Sequence, residues 1–114
     1  MKEFMMIFRN ENNSGFKGSP EQMKENVKQW QGWIGNIVAQ GKFVSTNRLG
    51  SQEKVLKSKG VLKDGPYMEV KKIISGYIII QSNSIDEASK LANGCPILNV
   101  GGSVEIRDIL QIPK

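Results

Sequence analysis

The sequence predicts an α+β domain whose antiparallel sheet carries its helices on one face. Three observations favour this fold. The chain has 114 residues, which suits one domain with one core. Two apolar runs of strand length lie at residues 4–8 and 73–80, and two segments with helical spacing each follow a serine. Strands and helices therefore alternate along the chain, and we expect residues 1–114 to form a single domain.

The first strand is predicted at residues 4–8, where every position is apolar. Such a run is typical of a strand that is covered on both faces, so we expect it at the centre of the sheet. The polar, glycine-containing stretch at residues 10–18 shows no periodicity, and we therefore expect it to be a loop.

The long helix is predicted over residues 20–40. Ser19 is a suitable N-cap, Pro20 suits the first helical position, and Gln22 stands where a capping box returns to the cap. Gly41 stands where a residue in the left-handed conformation commonly ends a helix. The signals at both ends therefore agree on one helix of about this length.

Apolar residues of this helix recur every three or four positions, which predicts one buried stripe. We expect Trp30 to lie on the stripe and to pack in the core. Trp33 lies at the edge of the stripe, so it either packs in the core or lines a cleft. The stripe consists of Met23, Val27, Trp30, Ile34, Ile37 and Val38.

The segment at residues 43–67 has a weaker pattern. Short strand pieces are predicted at residues 48–49 and 54–56, and turns at residues 58–60 and 64–66. Several lysines accompany these pieces. They predict a charged hairpin at an exposed edge, where charge prevents pairing with other chains.

The strongest strand pattern is at residues 73–80, which are rich in β-branched side chains. A short helix follows, with Ser84 and Glu87 as a second capping box and with Gly94 and Pro96 as its end. We therefore expect a second central strand followed by a second helix on the same face of the sheet.

The last strand is predicted at residues 104–109, after a glycine turn at 101–102. The element order then corresponds to the ferredoxin-like βαββαβ arrangement, with helices on one face of an antiparallel sheet. The two central strands also place apolar side chains on the helix-free face. A second copy of the chain is the simplest cover for that face, so a homodimer is expected.

Composition excludes several kinds of site. The chain has no histidine, which excludes an imidazole base, a histidine-bound metal and a Ser-His-Asp triad. The one cysteine, Cys95, is expected to be a small buried side chain in a reducing, cytoplasmic setting. The sequence has no phosphate-binding glycine motif. It also has no cysteine or histidine cluster, and its three aspartates are widely separated, so neither a metal nor another cofactor is expected. We also expect no secretory signal and no membrane span.

The charge balance is basic, with 16 Lys and Arg against 11 Asp and Glu, for a net charge of +5. This charge allows weak attraction to polyanions. Ferredoxin-like sheets bind RNA through exposed aromatic residues, but the strands of this chain carry no such aromatic pair, and the lysines alternate with acids and amides. Weak RNA binding is therefore only a second alternative function.

Two separated motifs resemble those of a known family. One is DGPYMEVK at residues 64–71 followed by SGY at 75–77, and the other is CP at 95–96 followed by GGSVEIR at 101–107. Together they resemble the signature of the YciI-related, DGPF-type proteins over nearly the whole chain. The resemblance implies a dimeric α/β-barrel relative of the ferredoxin-like fold, of bacterial type, and it implies no particular reaction.

The chain departs from the family pattern at several positions. Tyr67 replaces a phenylalanine, Lys72 stands where an acid is frequent, and Ser75 stands where a glycine is usual. Asp108 stands where proline is common. The His-Asp pair proposed for the YciI branch cannot be carried over, because this chain has no histidine. Only the aspartate of that pair has a counterpart in this sequence, at Asp64.

Candidate site residues lie around the first motif and on the last strand. Asp64 either holds a turn or faces a cleft as a general base with a raised pKa, and Glu69 is a second candidate for proton transfer. Glu69 and Lys71 share a strand face, as do Glu105 and Arg107. These pairs predict either ion pairing on the sheet or at a dimer seam, or a pocket that holds an anion.

The sequence therefore predicts a homodimer with a cleft near Asp64, where Tyr67, Lys71 and Arg107 line the site together with Glu105 and Trp33. The cleft either binds a small anionic metabolite or carries out cofactor-free proton transfer of the isomerase or lyase type. The alternative is a noncatalytic dimeric interaction module in which the same charges fix the dimer. The sequence leaves open whether the protein is an enzyme.

Overall fold

The computed structural model describes residues 1–11, 19–50, 52–57, 60–64 and 72–112. Within these ranges the chain forms strands, two α-helices and one 3-10 helix. The 3-10 helix, Pro96–Val100, lies between α2 and the last strand. The other elements, in chain order, are β1 (Lys2–Glu11), α1 (Pro20–Ala39), β2 (Phe43–Arg48), β3 (Lys54–Lys57), β4 (Gly60–Asp64), β5 (Lys72–Ser82), α2 (Ile85–Ala92) and β6 (Ser103–Asp108).

The main sheet has the strand order β2-β5-β1-β6, and every neighbouring pair is antiparallel. This order is that of the ferredoxin-like fold, so the predicted fold class is confirmed. The two apolar runs of the sequence lie in β1 and β5, which are the central strands, as expected. The β3–β4 hairpin forms a separate two-stranded sheet.

The core lies between the sheet and the helices. Side chains alternate along β1, and Phe4, Met6 and Phe8 are buried against α1 and α2. Trp33 and Ile37 are the buried residues of α1. The remaining buried core side chains come from β5, α2 and the segment after it: Ile78, Ile80, Ala88, Ala92, Cys95 and Ile97.

The predicted stripe of α1 was only partly correct. Trp33 and Ile37 are buried, and Trp30 and Ile34 pack against the core, whereas Val27 and Val38 are each 53% exposed. Met23 is 50% exposed. Because a helix turns 100° per residue, Val27 and Val38 fall to one side of the line through Trp30, Trp33 and Ile37. The buried stripe is therefore narrower than the spacing alone suggested.

The helix ends follow the predicted caps at α1 and differ at α2. Ser19 and Gln22 make both hydrogen bonds of the capping box, and Gly41 has φ +71° after the helix. At α2, Ser84 Oγ accepts the Glu87 backbone N–H at 3.1 Å. The Glu87 carboxylate accepts hydrogen bonds from Lys42 and Asn83 instead of returning to the Ser84 backbone. The second capping box is thus only half formed.

The prediction for residues 43–67 missed a sheet strand. β2 pairs with β5 at the edge of the main sheet, whereas we expected only a short strand piece at residues 48–49. β2 has mostly exposed side chains, so its sequence lacks the apolar pattern of a covered strand. The hairpin is present, with β3 and β4 paired from Lys54 opposite Asp64 to Lys57 opposite Gly60. The predicted turns at 58–60 and 64–66 lie largely outside the described residues. Pro96 begins the 3-10 helix rather than ending α2.

Candidate functional site

We call the helix-free face of the main sheet the open face. Alternation along the central strands places Met5 and Ile7 of β1 and Tyr77 and Ile79 of β5 on this face. Met5 lies opposite Ile79, and Ile7 lies opposite Tyr77. All of these side chains are half-buried. They form an apolar centre that no described helix covers.

The two edge strands surround this centre with polar groups. On β2, Ser45 lies beside Ile79 and Asn47 lies beside Tyr77. On β6, Arg107 lies beside Met5 and Glu105 lies beside Ile7. Each line of cross-strand neighbours, from β2 through β5 and β1 to β6, is therefore polar at both ends and mainly apolar in the middle.

Two arginines share one carboxylate at the β6 side of the open face. Arg9 Nη2 lies 3.2 Å from Glu105 Oε1, and Arg107 Nη1 lies 3.3 Å from Glu105 Oε2. The side chain of Arg9 is 25% exposed and that of Arg107 is 68% exposed. Two positive charges against one negative charge leave this cluster, which we call the arginine cluster, with a net positive charge.

A second polar pair lies at the β2 side of the open face. Asn47 Nδ2 donates a hydrogen bond to Tyr77 Oη at 2.9 Å, and Thr46 Oγ1 donates to the Tyr77 carbonyl oxygen at 2.8 Å. Both bonds join β2 to β5. The bond from Asn47 holds the Tyr77 hydroxyl on the β2 side, whereas the bond from Thr46 holds the Tyr77 backbone.

Of the predicted site residues, Glu105 and Arg107 lie together on the open face. They share a face of β6, as expected, and they pair with each other and with Arg9. This arrangement is the ion pairing that formed one of the two sequence-based alternatives. The exposed Arg107 also has N–H groups that pair with no described residue, and the second alternative, a pocket that holds an anion, requires such groups.

The other predicted site residues divide into two groups. Asp64 is the last residue of β4, and its side chain lies outside the described residues, as do Tyr67, Glu69 and Lys71. Trp33 lies on the helix side of the sheet and is 8% exposed. Its Nε1–H donates to the Leu91 carbonyl oxygen at 2.8 Å. Trp33 therefore packs in the core and lines no cleft on the open face.

Aromatic packing and a nearby glycine accompany the burial of Trp33 in the core, which was one of its two predicted positions. Phe8 contacts both indoles edge to face, with centroid distances of 5.1 Å to Trp30 and 6.0 Å to Trp33. The two indoles lie 5.7 Å apart. Gly94 faces the Trp33 ring, where an added Cβ would lie 3.3 Å from Cδ1. The missing side chain at this glycine leaves room for the ring to enter the core.

Sequence reasoning missed Arg9, Tyr77 and Asn47. Arg9 is two residues beyond Ile7 and therefore shares its side of β1, which is a signal that the sequence contains. Tyr77 stands in the second part of the first motif. The pairing of Tyr77 with Asn47 depends on the register between β2 and β5, and the polar sequence of β2 gave no sign of that strand.

Two titratable groups outside the open face have shifted pKa values. Burial raises the pKa of the Cys95 thiol to about 12, so this cysteine is a buried apolar side chain, as predicted, and not a nucleophile. The hydrogen bond from Lys42 lowers the pKa of Glu87. Lys42 Nζ lies 2.5 Å from Glu87 Oε1, and this pair joins the start of β2 to the first turn of α2.

Among the described residues, no group of three or more His, Cys, Asp or Glu side chains is arranged to hold a metal ion. None of the described helices has the length and hydropathy that a membrane span requires. A shallow groove of about 230 Å³ lies on the helix side, between α1 and Val100, and contains none of the predicted site residues.

A family model described as the YCII-related domain matches residues 3–113. The match covers nearly the whole chain, including β1, β5, β6 and both helices. No curated protein matches the sequence.

Proposed function

The chain belongs to the YCII-related domain family, and from that premise we propose that it is a homodimer that binds a small anionic molecule on the open face. The observation that carries this proposal is the position of the arginine cluster beside a half-buried apolar centre. Apolar groups hold the body of a ligand, and guanidinium groups hold its charge.

The homodimer follows from the unequal covering of the two sheet faces. The helix side buries its apolar side chains, whereas Met5, Ile7, Tyr77 and Ile79 remain half-exposed in the single chain. A second open face stacked over this one would shield these side chains from water, and the ligand would lie between the two faces, beside the arginine cluster. A twofold axis makes one surface its own partner.

The anionic ligand follows from the hydrogen-bonding capacity of the arginines. Each guanidinium has five N–H donors in a planar fork, and each makes one ion pair with Glu105 among the described residues. The remaining donors suit a carboxylate or another planar anion. A ligand beside Met5 and Ile7 would be partly shielded from water, which strengthens the charged hydrogen bonds.

We also propose that the same dimer carries out proton transfer. Asp64 would be the base, and Glu69 would be a second proton-transfer group. Tyr67 and Lys71 would line the cleft beside them. Support comes from the motif at residues 64–71, which the family match spans. An Asp64→Asn variant should lose turnover and keep its melting temperature. A fall in stability of about 1–2 kcal/mol, as for a lost turn or cap, would favour a structural role instead.

Benzoate binding tests the anion site. We expect wild-type protein to bind benzoate and Arg107→Gln to bind it about tenfold more weakly, since a hydrogen bond to a charged group contributes about 1.5–3 kcal/mol. Lys90→Gln removes the same charge from the exposed face of α2 and serves as the control. Equal benzoate affinity in wild type and Arg107→Gln, measured by isothermal titration calorimetry, would contradict the proposal.

A noncatalytic interaction module remains the alternative, and the pairing within the arginine cluster favours it. Glu105 already compensates part of the charge of Arg9 and Arg107. In that case Glu105→Gln should weaken the dimer through repulsion between the arginines, and benzoate should bind neither protein. Sedimentation equilibrium and calorimetry on the same two samples separate these outcomes.

A further inference from the structure

The hydroxyl group of Tyr77 has a hydrogen-bond donor that the described part of the chain does not use. Its oxygen accepts a hydrogen bond from Asn47 Nδ2 at 2.9 Å. A phenol has one proton to donate, and no described residue accepts that proton. Asn47 thus occupies an acceptor position of the hydroxyl oxygen, and the O–H group is free to donate to another molecule.

The free O–H group and the arginine cluster lie on the same face of the sheet, separated by Ile7. Tyr77 lies opposite Ile7, and Ile7 lies opposite Glu105. Neighbouring strands are about 4.8 Å apart, so the backbones at Tyr77 and Glu105 are about 10 Å apart. A hydrogen-bond donor and a cationic group therefore stand at two ends of an apolar floor.

The dimensions and chemistry of this floor restrict the molecule that fits it. Ile7 lies between the two polar ends, with Met5 and Ile79 beside it, so the body of the molecule must be apolar. One end must be anionic to pair with Arg9 or Arg107. The other end must accept a hydrogen bond, because the Tyr77 hydroxyl donates its proton there.

We propose that Tyr77 is a specificity-determining residue and that the open face selects a carboxylic acid with an apolar, ring-sized body and a hydrogen-bond acceptor at the far end. Asn47 is the positioning residue that holds the Tyr77 hydroxyl with its proton directed at the ligand. This proposal rests on the anion site proposed above and names the class of ligand that the site takes.

Two matched probes test the proposal by calorimetry. Benzoate has the ring and the carboxylate, and 4-acetylbenzoate adds a carbonyl acceptor opposite the carboxylate. We expect wild-type protein to bind 4-acetylbenzoate about tenfold more tightly than benzoate, a difference typical of one hydrogen bond. In Tyr77→Phe, which keeps the ring, both acids should bind with the affinity that benzoate has for wild type.

Two substitutions at Asn47 separate positioning from a structural role. In Asn47→Asp the carboxylate accepts the Tyr77 proton, so the hydroxyl has nothing to donate and the preference for 4-acetylbenzoate should disappear. In Asn47→Ala the proton stays free, and part of the preference should remain. A structural role would affect both variants alike and would change benzoate binding as well.

Each outcome decides between the two proposals. If Tyr77→Phe keeps the tenfold preference, or if wild type shows none, the role of Tyr77 is overturned. Benzoate binding that depends on Arg107 would then still support the anion site. If neither acid binds at millimolar concentration, both proposals are contradicted. Circular dichroism of each variant checks that the substitution leaves the fold intact.

Discussion

The two faces of the main sheet carry similar apolar side chains, but only one face is covered by the described helices. On β1, Phe4, Met6 and Phe8 are at most 5% exposed beneath the helices. Met5 and Ile7 lie between them on the open face and are only half-buried. Residues 4–8 of β1 are continuously apolar, so the sequence there does not distinguish the two faces. The difference shows that an apolar strand predicts burial on both sides, whereas the described part of the chain covers only one of them.

The largest effect is expected from a pair of methionine substitutions on opposite faces of β1. Met6 is fully buried, so Met6→Ala should lower the free energy of unfolding by about 2–5 kcal/mol through lost contacts and a cavity. Met5→Ala should lower the free energy of unfolding by less than Met6→Ala in dilute protein. Its effect should grow as the protein concentration rises, because we propose that a second copy covers Met5.

Urea unfolding at two protein concentrations measures both methionine variants, with Met23→Ala at the exposed surface of α1 as the control. A Met5→Ala effect as large as that of Met6→Ala, and independent of concentration, would show that the single chain covers both faces.

A smaller effect is expected where the helix side and the open face meet. A Cβ at Gly102 would lie 2.4 Å from Ile97 Cγ1 and 2.8 Å from the Arg9 carbonyl oxygen. Gly102→Ala should therefore lower the free energy of unfolding by about 1–3 kcal/mol and should weaken benzoate binding, because the backbone of Arg9 must move.

Gly32→Ala is the matched control for Gly102→Ala. Gly32 lies within α1, and a Cβ there would have no atom within 4 Å. This variant should gain up to about 1 kcal/mol in thermal or urea unfolding, since alanine favours a helix more than glycine does. A stable Gly102→Ala variant with unchanged benzoate affinity would show that the turn has room to adjust without moving the arginine cluster.

The smallest effect concerns the helix side alone and depends on pH. The pKa of Glu87 is lowered in the folded protein, chiefly by the hydrogen bond from Lys42. The folded state therefore favours the ionised form, and this stabilisation is fully present above the ordinary pKa of 4.5 and is lost as the pH falls through the lower folded value.

Glu87→Gln should therefore show a shallower loss of stability between neutral and acidic pH than wild type, as measured by thermal unfolding across that range. Glu25→Gln, at the exposed surface of α1, controls for the change in net charge. An equal acid dependence in wild type and Glu87→Gln would mean that the Lys42 pair does not stabilise the folded state.

Local signals predicted much of the fold. Both helix starts were correct because a cap depends on residues three positions apart, as with Ser19 and Gln22. The central strands were correct because each is a continuous apolar run. β2 was missed, because an edge strand with exposed side chains needs little apolar sequence. Its place in the sheet depends on pairing with β5, about 30 residues further along the chain.

The candidate site was less predictable, since its contacts join distant parts of the chain. Alternation along one strand was enough to place Glu105 and Arg107 on one face. Their contact with Arg9 depends on the register between β1 and β6, and the contact of Tyr77 with Asn47 depends on the register between β5 and β2. Neither register can be derived from local sequence, because hydrophobic patterning sets only the face of each residue.

The association state of wild type and Ile7→Glu tests the central claim most directly. The account predicts that wild type sediments as a dimer at micromolar concentration and that Ile7→Glu sediments as a folded monomer, since a charge would then lie in the middle of the stacked faces. Leu98→Glu, at an exposed position of the 3-10 helix, should remain a dimer. A monomeric wild type, or a dimer that Ile7→Glu leaves intact, would contradict the claim that a second copy covers the open face.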